Sequence, residues 1–155
     1  MKVRIEIENN LIEDEVIIRC SEINNNIQKI QTAISNVTST MQKIVALKEN
    51  KEVYLPLEQI LFFETNNNSV DVHTAHDTYS SKYRLYELEE ILPNAFLRIS
   101  KSTIVNSNHI FSITRNLTSS SLIQFYDTHK QVYVSRYYYK DLRKKINERR
   151  NHNEI

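Results

Sequence analysis

With 155 residues, 40% hydrophobic and 25% charged, and a net charge of +1, the chain has the size and balance of one globular domain plus a small extension. No stretch approaches the roughly 18 consecutive apolar residues of a membrane helix, and the single Cys20 rules out an internal disulfide framework, which fits a reducing, cytoplasmic setting. Glycine is absent, which excludes a Walker loop and a dinucleotide-binding fingerprint, since both need it for close approach to phosphate.

Val3-Arg4-Ile5-Glu6-Ile7 alternates with period two and predicts a strand; the same segment lacks the apolar core of a signal peptide. After Asn9-Asn10, Glu15–Cys20 predicts a second strand. A helix is expected from Glu22 to Ile34, capped by Ser21 or Asn24, with Ile23, Ile27, Ile30 and Ile34 as its apolar stripe. Ser35–Thr40 is polar and reads as a linker. Residues 1–40 are therefore expected to form a strand-strand-helix extension, serving either as an interaction or dimerisation module or as packing for the rest.

From Met41 the pattern turns strand-rich. Met41–Leu47 and Lys51–Leu55 flank a turn at Lys48-Glu49-Asn50, Pro56 ends the pairing, and Leu57-Glu58-Gln59 suggests a helical turn. Ile60–Glu64 predicts a buried strand, Asn66–Ser69 its turn, and Val70–Thr74 with Thr78–Ser81 the next pair. Arg84–Leu92 predicts a short amphipathic helix with Leu85, Leu88, Ile91 and Leu92 inward, ended by Pro93. Further strands are expected at Ile110–Thr114, Leu122–Tyr126 and Gln131–Val134, then a helix from Arg136 to about Arg149, capped by Ser135, with Leu142 and Ile146 inward. The fold class that follows is mainly β with short helices, an α+β meander over residues 41–150, with 151–155 as a tail. With no glycine, its tight turns must rely on Asn, Asp and Ser.

The charge is unevenly spread. Residues 1–95 carry 9 Lys and Arg against 15 Asp and Glu, a balance of −6, whereas residues 96–150 carry 11 against 3, a balance of +8. A basic region on a near-neutral protein points to a polyanionic partner. Within it, Phe96, Leu97, Ile99, Ile104 and Val105 bracket a polar turn, Ser100-Lys101-Ser102-Thr103, which is how a loop is fixed to present a cation and hydroxyls. Arg136 falls in the first turn of its helix, where the macrodipole disfavours a cation by about 0.3–1 kcal/mol unless an anion offsets it. A phosphate, or a guanine edge, would supply that anion. In Tyr137-Tyr138-Tyr139 one ring is expected to pack inward and another to offer its hydroxyl to a phosphate. Exposed tyrosines would also serve single-strand or RNA binding by stacking.

Two chemical readings fall away. His73 and His76 have no third ligand in register, so a metal site is not expected, and no cofactor is implied. Serine, histidine and aspartate occur without a glycine-supported nucleophile turn, so catalysis is not expected either.

From about Met41 to Ile146 the chain resembles the LytTR-type DNA-binding domains of bacterial transcription regulators. The resemblance is carried by Ile60–Glu64, Tyr86-Glu87-Leu88-Glu89 with Leu92 and Phe96, Leu97–Asn106, Ile110, and Val134-Ser135-Arg136-Tyr137, which occur in order. It implies a β-rich fold that enters double-stranded promoter DNA with loops rather than a helix-turn-helix, and two protomers on repeated sites. Carried over by position, Lys101, Arg136 and Asn68 would contact bases, while Lys82, Arg84, Ser102 and Tyr138 would lie near phosphates. Many members have histidine where Ser100 stands, and the glycines common in the family's late hairpins are missing. The first 40 residues are too short for a phosphorylated receiver domain, so a stand-alone regulator is implied, with a regulatory membrane protein as a partner at family level.

Overall fold

A computed structural model describes residues 1–10, 15–38 and 42–153. The chain divides into two compact units, Met1–Val37 and Thr38–Ile155.

In the first unit, α1 spans Asn25–Thr38. Its cap is Asn24, whose side-chain oxygen accepts from the backbone N–H of Asn26 and of Ile27, both at 3.1 Å. The helix thus starts later than expected and runs through Ser35–Thr38, while the rest of the expected linker, Ser39 and Thr40, lies outside the described residues, as does Met41. Ile23 precedes the helix and is 71% exposed, so the stripe reduces to the half-buried Ile27, Ile30 and Ile34. The strands expected at Val3–Ile7 and Glu15–Cys20 are not formed. Their alternation is suited to a sheet, but a short two-stranded ribbon on its own is marginal in water, and their large apolar side chains stand exposed.

The second unit follows the expected β-rich plan. Its strands are β1 (Lys43–Lys48), β2 (Lys51–Pro56), β3 (Ile60–Asn66), β4 (Ser69–Thr74), β5 (Thr78–Ser81), β6 (Phe96–Arg98), β7 (Thr103–Asn106), β8 (Ile110–Thr114), β9 (Ser121–Phe125) and β10 (Gln131–Val134). Helix α2 spans Leu85–Ile91 and α3 spans Arg136–Asn153. Seven strands form one antiparallel sheet in the order β2-β1-β5-β4-β3-β7-β6, and β8, β9 and β10 form a separate meander. Pro56 is accommodated as the last pair of edge strand β2, opposite Lys43.

Two cores lie on either side of the large sheet. On one face Ile44, Leu55, Ile60, Phe63, Val72 and Ile104 pack with Leu85, Leu88 and Leu92 of the α2 region. On the other Leu61, Phe62, Leu97, Ile99 and Val105 pack with Ile123, Phe125, Val132 and Val134 of the small sheet and Leu142 of α3. Strand β3 serves both, because a bulge between Ile60 and Phe62 interrupts its alternation and leaves Ile60–Phe63 buried throughout. Ile91, expected inward, is 38% exposed, and Leu92 fills that place as the residue ending α2.

The glycine-free turns put other residues in the left-handed region. Glu49 and Asn50 have φ of 50° and 63° in the β1–β2 turn, Asn67 has 55° in the β3–β4 turn, and Asp127 has 58° in the β9–β10 turn. Asn and Asp tolerate this conformation through local hydrogen bonding, as the composition requires; Glu49 is the departure from that rule.

Candidate nucleic-acid interface

The turn Ser100–Ser102 joins β6 to β7 and is pinned by buried Leu97, Ile99, Ile104 and Val105. Ile99 N–H donates to Thr103 O at 3.0 Å and closes it. Inside the turn, Ser102 N–H donates to Ser100 Oγ at 3.2 Å. From beneath, the Arg98 guanidinium donates through Nε to Ser100 O at 2.6 Å and through Nη2 to Lys101 O. Its Nη1 is anchored on Glu89 Oε1 of α2 at 2.9 Å. The main chain of the turn is therefore clamped, while the Lys101 side chain is exposed and makes no hydrogen bond or ion pair with the described residues.

Three long-range hydrogen bonds gather the other loops around this turn. Ser135 N–H donates to Ile99 O at 2.9 Å, which ties the start of α3 to the base of the turn. Lys101 lies two positions after Ile99 and Arg136 one position after Ser135, so chain geometry holds the Cα atoms of Lys101 and Arg136 within about 18 Å. Thr65 N–H donates to Ser102 O at 2.8 Å, bringing in the end of β3 just before the Asn67-Asn68 turn. Arg84 Nη1 donates to Asn68 O at 3.2 Å. Asn68, Arg84, Lys101, Ser102 and Arg136 are all exposed. Arg84 also leads into α2, where its N–H donates to Glu87 Oε2 at 2.8 Å.

Lys82 and Tyr138 are placed differently. Lys82 follows β5, whose Ser81 pairs with Val70, so it lies beside the Asn68 turn; its ammonium is held by the Glu52 carboxylate of β2, which raises its pKa. Tyr138 is half-buried against the second core, four residues before Leu142 and eight before Ile146 on the inward stripe of α3. That spacing was readable in the sequence. It leaves Tyr137, 86% exposed and edge-on to Tyr138 at 5.0 Å, as the free tyrosine. The start of α3 is supported by Ser135 O, which accepts from Tyr138 N–H at 3.1 Å and Tyr139 N–H at 3.0 Å.

The sequence reading missed two arginines. Arg98 sits in an alternating strand pattern, and nothing local marks it as the clamp of the turn. Arg115 lies over the Tyr139 ring at 5.2 Å and, with Arg136, Asn116 and Ser119, lines a recess of about 160 Å³. It adds a cation beside Arg136.

The histidines sit elsewhere in the unit. His73 stacks on Phe62 at 4.1 Å, and burial together with the Lys130 charge pushes its pKa down to about 4. Lys130 Nζ donates to Asp77 O at 2.7 Å and lies 3.4 Å from His73 Nδ1, locking the β9–β10 turn to β4 and β5. His76 is exposed, and no group of three metal-ligating side chains occurs among the described residues. No helix among the described residues is long and apolar enough to cross a membrane.

Comparison with known proteins gives the family and the fold. The LytTr DNA-binding domain model matches residues 50–147. A Staphylococcus aureus (strain NCTC 8325) protein named as an HTH-type transcriptional regulator is 32% identical over 149 residues, covering 94% of this chain and 98% of its own. Its counterpart in strain MRSA252 is 30% identical over the same coverage. Among solved structures, the LytTr DNA-binding domain of a Bacillus cereus protein superposes with a TM-score of 0.63 at 27% identity, covering 68% of this chain and 96% of that one. The relatives' names refer to a helix-turn-helix, whereas here the α-helices among the described residues are separated by strands. The chain belongs to the LytTr DNA-binding domain family and is a DNA-binding transcriptional regulator.

Proposed function

We propose that the domain reads double-stranded promoter DNA with three loops, using Lys101, Arg136 and Asn68 on base edges and Lys82, Arg84, Ser102 and Tyr138 on phosphates. The supporting observation is the Ser135–Ile99 backbone bond, which couples two exposed cations, from segments far apart in the chain, that form no ion pair with a described residue. Their Cα atoms lie within about 18 Å of each other, well under one helical turn of about 34 Å, so both fit one DNA face. An arginine at a helix start remains uncompensated until an anion or a guanine edge meets it. Tyr138, with its ring fixed in the core, would offer a hydroxyl of defined position to a phosphate.

On this reading the protein acts without catalysis, in the cytoplasm, as two protomers on repeated sites. Selection of bound duplexes from a random pool, followed by sequencing, tests the core of this reading. The expected product is a short motif repeated at a spacing near one helical turn, about 10 bp. Enrichment of single strands over duplex would move the function to stacking on tyrosines such as Tyr137.

A further inference from the structure

The Lys2–Glu8 segment carries apolar side chains at every odd position and charged ones at every even position, yet forms no strand pairing with any described residue of its own chain. Val3, Ile5 and Ile7 are 86%, 85% and 87% exposed. Among the described residues the segment's charged side chains form one ion pair, Arg4 Nε to Glu6 Oε1 at 2.8 Å, so open to solvent that exchanging it for an equivalent one costs little.

We propose that this segment pairs with the same segment of a second copy, as antiparallel strands whose two-fold axis passes through Ile5. In that register Arg4 of one copy faces Glu6 of the other, Lys2 faces Glu8, Val3 faces Ile7, and Ile5 faces itself. Each ion pair occurs twice by symmetry. Because strand side chains alternate, all the charges fall on one face of the ribbon and all the apolar groups on the other.

The neighbouring registers are worse, for reasons the sequence fixes. An axis through Arg4 sets Arg4 against Arg4, and an axis through Glu6 sets Glu6 against Glu6, both like-charge pairs. An axis between two residues sets charged side chains against apolar ones, since a one-residue slip reverses the faces. Parallel in-register pairing repeats every charge against itself. The later stretch, Glu15–Cys20, has only one complementary pair about its own centre, Glu15 with Arg19, against two in the first, so the axis belongs to Lys2–Glu8. Glu15–Cys20 then supplies an outer strand from each copy, with Val16, Ile17 and Ile18 exposed and available. Four strands with an apolar face exceed the minimum of about three for an independently stable sheet, which one copy alone does not reach.

This assignment rests on the two-protomer reading above and says where the protomers meet. The test uses the full chain without DNA, by sedimentation velocity at micromolar concentration. The wild type is expected to be dimeric. Lys2→Glu with Arg4→Glu makes one strand face wholly acidic, and Glu6→Lys with Glu8→Lys makes it wholly basic. Each double variant should dissociate at least about tenfold more readily, because every complementary pair becomes a like-charge pair. An equimolar mixture of the two should recover the dimer. A monomeric wild type, a double variant that stays dimeric, or a mixture no better associated than its components would overturn the proposal; the first would leave the segment to a different protein. Binding of each variant to a single DNA site serves as the control. If association responds as expected while no arm binds duplex, it is the DNA reading that fails and the pairing that stands.

Discussion

Replacing Arg98 with lysine isolates the clamp under the Lys101 turn. Lysine keeps the charge but cannot reach Ser100 O, Lys101 O and Glu89 Oε1 at once, because it lacks the planar fork. The two carbonyl bonds are partly exposed and together stabilise the fold by about 1–2 kcal/mol after allowance for solvent. The larger effect falls on recognition. A turn freed at Ser100-Lys101-Ser102 must be ordered again on binding, at about 1–2 kcal/mol of backbone entropy per residue fully fixed. Partial release therefore costs about 1.5–3 kcal/mol of affinity, or roughly ten- to a hundredfold in Kd. Fluorescence anisotropy with a labelled duplex measures this at fixed salt. Since the Arg98 guanidinium is taken up by Ser100 O, Lys101 O and Glu89 Oε1 and lysine keeps its charge, the slope of log K against log salt should stay as in the wild type. A double-mutant cycle with Lys101→Ala should be strongly non-additive, because Arg98 acts through that residue. Wild-type affinity in Arg98→Lys, or simple additivity with Lys101→Ala, would refute the clamp.

Arg136→Ala is expected to remove about 1–3 kcal/mol of discrimination at one base position in a competition series of duplexes, whereas Lys82→Ala should weaken all sequences alike and reduce the salt slope by about 1. Glu52→Gln releases the Lys82 ammonium from its ion pair, so nonspecific duplex affinity should rise severalfold at low salt in a filter-binding assay, with no change in base preference. His73 is held neutral in the fold, with its pKa near 4 against an ordinary value near 6.5, so the unfolded chain binds the extra proton between these values. Stability is thus intact above about pH 6.5 and lost as pH falls toward 4, by about 2 kcal/mol at pH 5. His73→Phe should flatten this loss in urea titrations at pH 7 and pH 5.

Much of the architecture is written in local pattern. The Ile60–Glu64 run, the Asn-rich turn after it, the short helix ending before Pro93 and the strand-turn-strand around Lys101 all sit where periodicity and turn chemistry place them. The misses share one cause, which is that the deciding partner lies far away in sequence. Lys82 meets Glu52 thirty residues earlier, Arg98 meets Glu89 on a helix, and the bulge in β3 exists because two cores claim the same strand. Val3–Ile7 shows the converse, where the alternation is correct for a strand but no described strand pairs with it. The inward packing of Tyr138 was by contrast locally legible, since its spacing to Leu142 and Ile146 sets it on the inner stripe.

Two of the three bonds that gather the loops, Ser135 to Ile99 and Thr65 to Ser102, run entirely between main-chain atoms, and the third reaches only the Asn68 carbonyl. Exchanging the side chains at 68, 101 or 136 therefore leaves the scaffold that aims them untouched. Such an arrangement permits a change of target sequence by swapping tips alone, so that one set of strands can serve many different operators.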